Sequence, residues 1–303
     1  MSKEKQSLLA ACLANSIFGF SFMFSSLAFE IAEPFVLLAV RFSAAFLLLN
    51  LIVLTGKVPF SLKGKPVWLL LLMGIFQPIL YFFCENYGIL YTSTAFSGTM
   101  IALIPVVNLV LSSLILGEKA TRLQIFCSFL SVFGVILTTA GGNEGGFSWI
   151  GFLLLAGAVL SACLYNISSK KAYEHFNSLE KTYIQFGLGS VFYLVFMFVK
   201  AAGNWDLILT PLASGRFWIA ILYLAGLSSV GAFLLLNFSV QYLPLAQTAI
   251  LANLATVISI AAGILFLHED FGLRQILGAA IILISVYGVT KPQKVSEDPA
   301  GPV

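Results

Sequence analysis

Residues 85–119 read ENYGILYTSTAFSGTMIALIPVVNLVLSSLILGEK, and residues 237–270 read NFSVQYLPLAQTAILANLATVISIAAGILFLHED. The two stretches align without gaps. Tyr91 falls on Tyr242, Ala95 on Ala246, Leu103 on Leu254, Val106 on Val257, Leu114 on Leu265 and Leu116 on Leu267. Glu118 falls on Glu269, and Gln124-Ile125 on Gln275-Ile276. Apolar helices match one another easily; polar anchors at a shared offset do not. The alignment predicts an internal duplication, and a long-period repeat constrains an architecture more firmly than any single motif.

Outside these stretches the composition points the same way. The chain is 59% hydrophobic and 10% charged, with mean hydropathy +0.99. A soluble domain is about 45–50% apolar and about one quarter charged, so this is a membrane protein. The net charge of +3 gives no reason to expect nucleic acid. Cys12, Cys84, Cys127 and Cys163 lie in apolar runs without CxxC spacing and read as small hydrophobes. His175 and His268 are far apart. No HExxH, GxGxxG or phosphate-loop pattern is present, so no metal site, cofactor or enzyme chemistry is expected.

A membrane-crossing helix needs about 20 mostly apolar residues. That rule predicts an all-α integral membrane protein of ten spans: 7–28, 34–55, 67–90, 93–116, 122–140, 149–170, 179–200, 216–240, 244–267 and 273–290. The first is kept as an uncleaved span, because its apolar run has no small-residue cleavage site. Turn chemistry marks the joints at Glu33-Pro34, Gly56-Lys57-Val58-Pro59 and Leu243-Pro244. The glycine-rich stretch 141–146 separates a first five-helix repeat (7–140) from a second (149–290), and the polar tail 291–303 is expected to be disordered.

Basic residues set the orientation. With the N-terminus inside, the cytoplasmic segments hold Lys3, Lys5, Lys57, Lys63, Lys65, Lys119, Arg122, Lys170, Lys171, Lys181, Lys291 and Lys294. The outer segments hold Lys200, Arg216 and Arg274. Both termini are therefore expected in the cytoplasm of a cell with this protein in its plasma membrane. Each half has an odd number of spans, so the second half must enter with opposite orientation. Inverted repeats recur in secondary transporters, with the binding site near the midplane between the halves.

These features resemble the EamA-type ten-helix carriers of the drug/metabolite transporter superfamily. The resemblance rests on Arg41-Phe42 in the second span, Pro105 ahead of Glu118, Leu-Gly-Glu at 116–118 and its echo Leu-His-Glu at 267–269. Two positions depart from the family pattern: Phe18-Gly19 stands where Trp-Gly is common, and Thr256 where the second repeat often has proline. The resemblance implies transport of a small metabolite, often export of amino acids or similar compounds.

Glu85 is the sharpest candidate for solute contact. An ionisable residue within a span costs about 2.5–3.5 kcal/mol on insertion scales and should face the bundle interior or water. Glu85 lies roughly 7 Å below the outer end of its span, and Arg41 roughly 10 Å below the outer start of its own. The two are expected within salt-bridge or water-bridged reach. Three roles stay open for Glu85: a structural ion pair, a carboxylate that takes a proton or a substrate ammonium, or a group that reaches the outer interface.

Gln77, Tyr81, Glu85 and Gly88 share one face at helical spacing, and their repeat partners are Ser228, Ala232, Leu236 and Ser239. The fourth and ninth spans carry the stripes Ala95, Gly98, Ala102, Pro105 and Ala246, Ala249, Asn253, Thr256. These suit either close helix packing or a cavity wall, with Asn253 a neutral donor and acceptor. Asn15 and Asn166 suit hydrogen bonds between helices or solute contact. Glu118 and Glu269 end their helices and are expected to cap the next helix or meet a loop cation.

The leading expectation is a secondary carrier for a small solute, an amino acid or related amphipathic cation, embedded in membrane lipid, with a homodimer allowed. The alternatives are a non-transporting receptor or scaffold, and a facilitator for drugs or nucleotide-derived solutes.

Overall fold

The computed structural model describes residues 3–56, 59–116, 121–140, 148–172, 175–242 and 245–290. Glu118, the glycine-rich 141–146, Lys57-Val58, Leu243-Pro244 and the tail 291–303 lie outside the described residues. The described residues form helices and connections, with no strand among them. Hydrocarbon offers no partner to backbone N–H and C=O groups, and a helix pairs them within one segment. Seven segments are long and apolar enough to cross a membrane, and three shorter apolar helices, Arg122–Thr138, Leu251–Phe266 and Leu273–Gly288, fall where the remaining spans are expected.

Helix α1 is Lys3–Phe29 and α2 is Pro34–Leu54, with Pro34 in the first turn, where a missing N–H does no harm. The third span is not one helix. It comprises α3 (Trp68–Gly74), a widened stretch π1 (Ile75–Leu80) that is kinked rather than continuously helical, and α4 (Tyr81–Tyr91). Pro78 disfavours helical geometry at the residue before it, and Gln77 is extended, with φ −147° and ψ 113°. The fourth span is also divided, into α5 (Thr94–Ile101) and α6 (Ile104–Leu116), with Pro105 in the first turn of α6.

Next come α7 (Arg122–Ala140), α8 (Trp149–Ala172) and α9 (Ser178–Ala201). Residues expected only as an outer connection fold into a short helix, α10 (Asp206–Ala213). The eighth span then runs through α11 (Gly215–Ile221), a second wide stretch π2 (Leu222–Ala232) and α12 (Phe233–Tyr242). Helices α13 (Leu245–Phe266) and α14 (Leu273–Thr290) complete the chain. The offset that carries Glu118 to Glu269 carries 75–80 to 226–231, inside π2, so both repeats interrupt their third span at the same place.

Side-chain pairs show the inversion directly. Along α2 and α9, Tyr183 Oη donates to Asn50 Oδ1 at 2.9 Å, Ser43 and Ser190 hydroxyls meet at 3.0 Å, and the Phe35 and Phe196 rings lie 6.4 Å apart. Numbers fall on one helix as they rise on the other, so the second spans of the two halves are antiparallel. The fifth spans behave likewise. A methyl group on Gly278 would stand 2.7 Å from the Gly134 carbonyl, and one on Gly288 would strike Cys127. The halves also exchange partners: α1 packs on α12 and α13, α4 on α8, α2 on π2, and α5 on α13.

Glu269 holds this exchange at one membrane face. Its Oε1 accepts from the Thr94 amide at 2.7 Å and its Oε2 from the Ala95 amide at 2.9 Å. Ser93 Oγ takes the Phe96 amide at 3.1 Å. Glu269 thus caps α5, in the other repeat, rather than the helix that follows it. An anion and a serine at a helix N-terminus satisfy amides that have no intrahelical partner. The turn that aims Glu269 needs a left-handed residue, and His268 takes it at φ 52°, where Gly117 stands in the first repeat. At the N-terminus of α9, Glu180 accepts from Lys65 Nζ at 2.7 and 2.8 Å, from the Ser61 amide at 2.9 Å and from the Asn177 amide at 3.0 Å. Lys65, read from sequence as an orientation signal, is also an anchor for the loop before α3.

Glu269→Ala should destabilise the fold by about 2 kcal/mol, from two lost charge-assisted bonds. His268→Gly should stabilise it by about 1 kcal/mol, by removing a left-handed side-chain penalty. Apparent melting temperatures in one detergent check both, and shifts in the same direction would overturn this account of the turn.

Candidate functional site

Helix α2 places Arg41 at the middle of the bundle, 2% exposed. Its Nε donates to Ser229 Oγ at 3.0 Å and its Nη2 to Ser228 Oγ at 3.4 Å. Both serines sit in π2, and Ser21 Oγ of α1 stands 2.8 Å from Ser228 Oγ. The guanidinium carbon lies 4.6 Å from the centre of the Phe82 ring and 5.7 Å from that of Phe42. A cation over an aromatic face is favoured when desolvated. Arg41 is thus held by hydroxyls from the opposite repeat and by rings from its own.

Glu85 lies on α4 and is 7% exposed. Tyr81 Oη, one turn earlier, donates to its Oε1 at 2.7 Å, and Asn86 Nδ2 approaches its Oε2 at 3.4 Å. Among the described residues Arg41 and Glu85 make no direct ion pair with each other. Of the salt-bridged or water-bridged reach expected from depth and charge, the direct salt bridge is not formed: Arg41 bonds Ser228 and Ser229, and Glu85 bonds Tyr81.

The break at Gln77 brings the second repeat to this site. Helix α9 approaches it so closely that a methyl group on Gly189 would stand 2.6 Å from Pro78 Cγ. Gln185 Nε2 donates to the Gln77 carbonyl at 2.8 Å, and Tyr193 Oη bonds the Pro78 carbonyl at 3.2 Å as well as that of Ile79. Irregular backbone at membrane depth persists only where protein or water satisfies it. Tyr193 also stacks on Phe42, with ring centres 5.5 Å apart and planes 13° from parallel. Phe42 in turn meets Phe82 edge-on at 5.0 Å. One aromatic cluster therefore joins the broken helix, the arginine and the glutamate.

Comparison with known proteins places this arrangement. The model of the EamA-like transporter family matches residues 5–140 and again 149–291. The chain belongs to that family. It is 32% identical over 294 residues to the Bacillus subtilis (strain 168) protein named Uncharacterized transporter YcxC, covering 95% of this chain and 94% of that one. A protein of Streptantibioticus cattleyicolor named Probable terminal-alkyne amino-acid exporter is 22% identical over 201 residues, 66% of this chain and 65% of its own. A solved structure described as Crystal structure of protein has the same fold, with TM-score 0.63 and 17% identity over 96% of this chain and 99% of its own. The chain is therefore a multi-pass integral membrane transporter.

In this EamA-like transporter, Arg41, Ser228, Tyr81 and Glu85 are gathered as one cluster. Gln77 joins it by its backbone, because the break removes its side chain from the helical face it was expected to share. Asn15 bonds within its own helix, Nδ2 to the Ala11 carbonyl at 2.8 Å, and Asn166 is exposed, so neither links two helices. Thr256 Oγ1 donates to the Gly98 carbonyl at 3.1 Å where α5 and α13 touch, which is a packing role. Asn253, one turn earlier, is half-buried. Sequence reasoning missed Ser229, Phe82, Asn86, Gln185 and Tyr193. Pro78 at mid-span was the available signal for the break, and Ser228-Ser229 in an apolar run was the signal for an arginine partner.

Tyr193→Phe should destabilise the protein by about 1–3 kcal/mol, because the Pro78 and Ile79 carbonyls lose a buried donor. A melting temperature equal to wild type would show that these carbonyls are satisfied by other means.

Proposed function

We propose that the chain is a secondary carrier for a small amphipathic solute, an amino acid or a related organic cation. It would export that solute across the cytoplasmic membrane by alternating access. The observation that carries this reading is a buried carboxylate and a buried guanidinium in one cluster, bonded to neutral partners rather than to each other. Glu85 suits an ammonium and Arg41 suits a carboxylate, since ionised partners make the stronger hydrogen bonds. Nucleotide sugars and phosphates would call for several cations, and Arg41 is the cation of this cluster. The distant relative named as an amino-acid exporter supports the same solute class and direction.

Rocking of one half against the other would open the site to each side in turn, driven by a solute or proton gradient. The distribution of basic residues supports both termini in the cytoplasm, which reporter fusions at each terminus would test.

The decisive experiment is counterflow in proteoliposomes loaded with single amino acids and amines. Saturable exchange is expected for at least one. Glu85→Gln should lower it by tenfold or more while leaving the protein folded, since a glutamine oxygen still accepts from Tyr81. Absence of flux for every probe, or an unchanged affinity and pH profile in Glu85→Gln, would overturn the reading.

A further inference from the structure

Asn86 is fully buried, at 0% exposed, beside the candidate carboxylate. Its Nδ2 donates to the Phe82 carbonyl one turn back at 2.9 Å. That contact fixes the amide orientation, because an oxygen in the same place would face another carbonyl. The amide oxygen is therefore the outward-pointing atom, and it has no hydrogen-bond partner. A buried acceptor without a donor is costly and calls for a missing donor, either water or ligand.

Its position identifies which donor. Asn86 and Phe82 share a helix face, and Phe82 lies under Arg41. Asn86 is thus on the face of α4 that carries Phe82 beside the arginine, one residue from Glu85. Nδ2 is 3.4 Å from Glu85 Oε2, and the two polar atoms of an amide are about 2.3 Å apart. The free oxygen is then at most about 6 Å from the carboxylate oxygen. Two acceptors bonded at about 2.8 Å to N–H groups of one ammonium nitrogen, at the tetrahedral angle, stand about 4.6 Å apart, inside that limit. Using both requires at least two N–H bonds on that nitrogen.

We propose that Asn86 is a specificity-determining residue that, with Glu85, selects solutes bearing a primary ammonium over fully alkylated ones. A quaternary ammonium satisfies the charge of Glu85 but cannot donate, so it leaves the Asn86 oxygen empty. A site that donates or accepts a specific hydrogen bond rejects analogues lacking it, because the buried group is then left unpaired. This inference rests on the carrier reading above and adds the chemistry of the ligand's charged end.

The test measures counterflow of leucine and phenylalanine against their N,N,N-trimethyl derivatives, in wild type and in Asn86→Thr. Threonine keeps the bond to the Phe82 carbonyl through its hydroxyl and removes the outward oxygen. Wild type should prefer the primary ammonium by tenfold or more. Asn86→Thr should reduce that preference about tenfold, chiefly by slowing the primary probes. Equal wild-type flux of both probe types would overturn the role of Asn86 and leave the carrier reading standing. So would a preference unchanged in Asn86→Thr, which would assign the empty oxygen to a bound water. Wild-type flux of neither type, with counterflow of some other solute, would overturn the inference and the amino-acid assignment together. The wild-type comparison stands even if the variant does not fold.

Discussion

The backbone carbonyls released at Gln77-Pro78 set the terms for the rest of this structure. In hydrocarbon they have no solvent to turn to, so a second helix must bring donors to them. Helix α9 does so with Gln185 and Tyr193. Everything near the candidate site follows from that approach. Gly189 permits it, Tyr193 extends it to Phe42, and Phe42 sits beside Arg41 on α2. A flaw in one helix thus becomes the reason two repeats are held in a fixed relation.

The other repeat is irregular at the equivalent place in a different way, without a residue that leaves the helical region. At the equivalent place the eighth span widens into π2 without a proline, and the partner it receives is a cation rather than a tyrosine. The two repeats share the place of the irregularity, while its backbone form and its side chains differ. An irregularity stands at this place in both repeats, whereas the charges Arg41 and Glu85 have no counterpart in the second. A buried charge that is held by hydroxyls keeps its electrostatic reach, since neutral partners orient it without cancelling it.

Much of the fold was legible in the residues. The repeat offset, ten apolar runs and odd spans per half led to an all-α chain of two inverted repeats, because hydrophobic length and charge placement are local properties. The cluster of Arg41, Tyr81, Glu85 and Ser228 was legible for the same reason: polar residues are rare in spans. What could not be read was partner choice. Depth and opposite charge suggested Arg41 within salt-bridged or water-bridged reach of Glu85; its direct partners are hydroxyls across the repeat boundary, which no periodicity reveals. Helical spacing also carried Gln77 onto a face it does not occupy, because one proline resets the register. Glu269 was expected to cap the helix that follows it or to meet a loop cation; it caps α5 instead, 175 residues away along the chain.

That last separation has a consequence for biosynthesis. Chains emerge from the ribosome at about 5–20 residues per second, so the amides of α5 wait roughly 10–35 s for the carboxylate that receives them. Arg41 waits about as long for Ser229, which is 188 residues later. During that interval the newly inserted first half holds a naked charge and open amides within or beside the bilayer. The nascent half is incomplete as a folding unit, and its lifetime in that condition is set by translation rather than by its own stability. Any pause between the halves lengthens the period in which membrane quality control can recognise it.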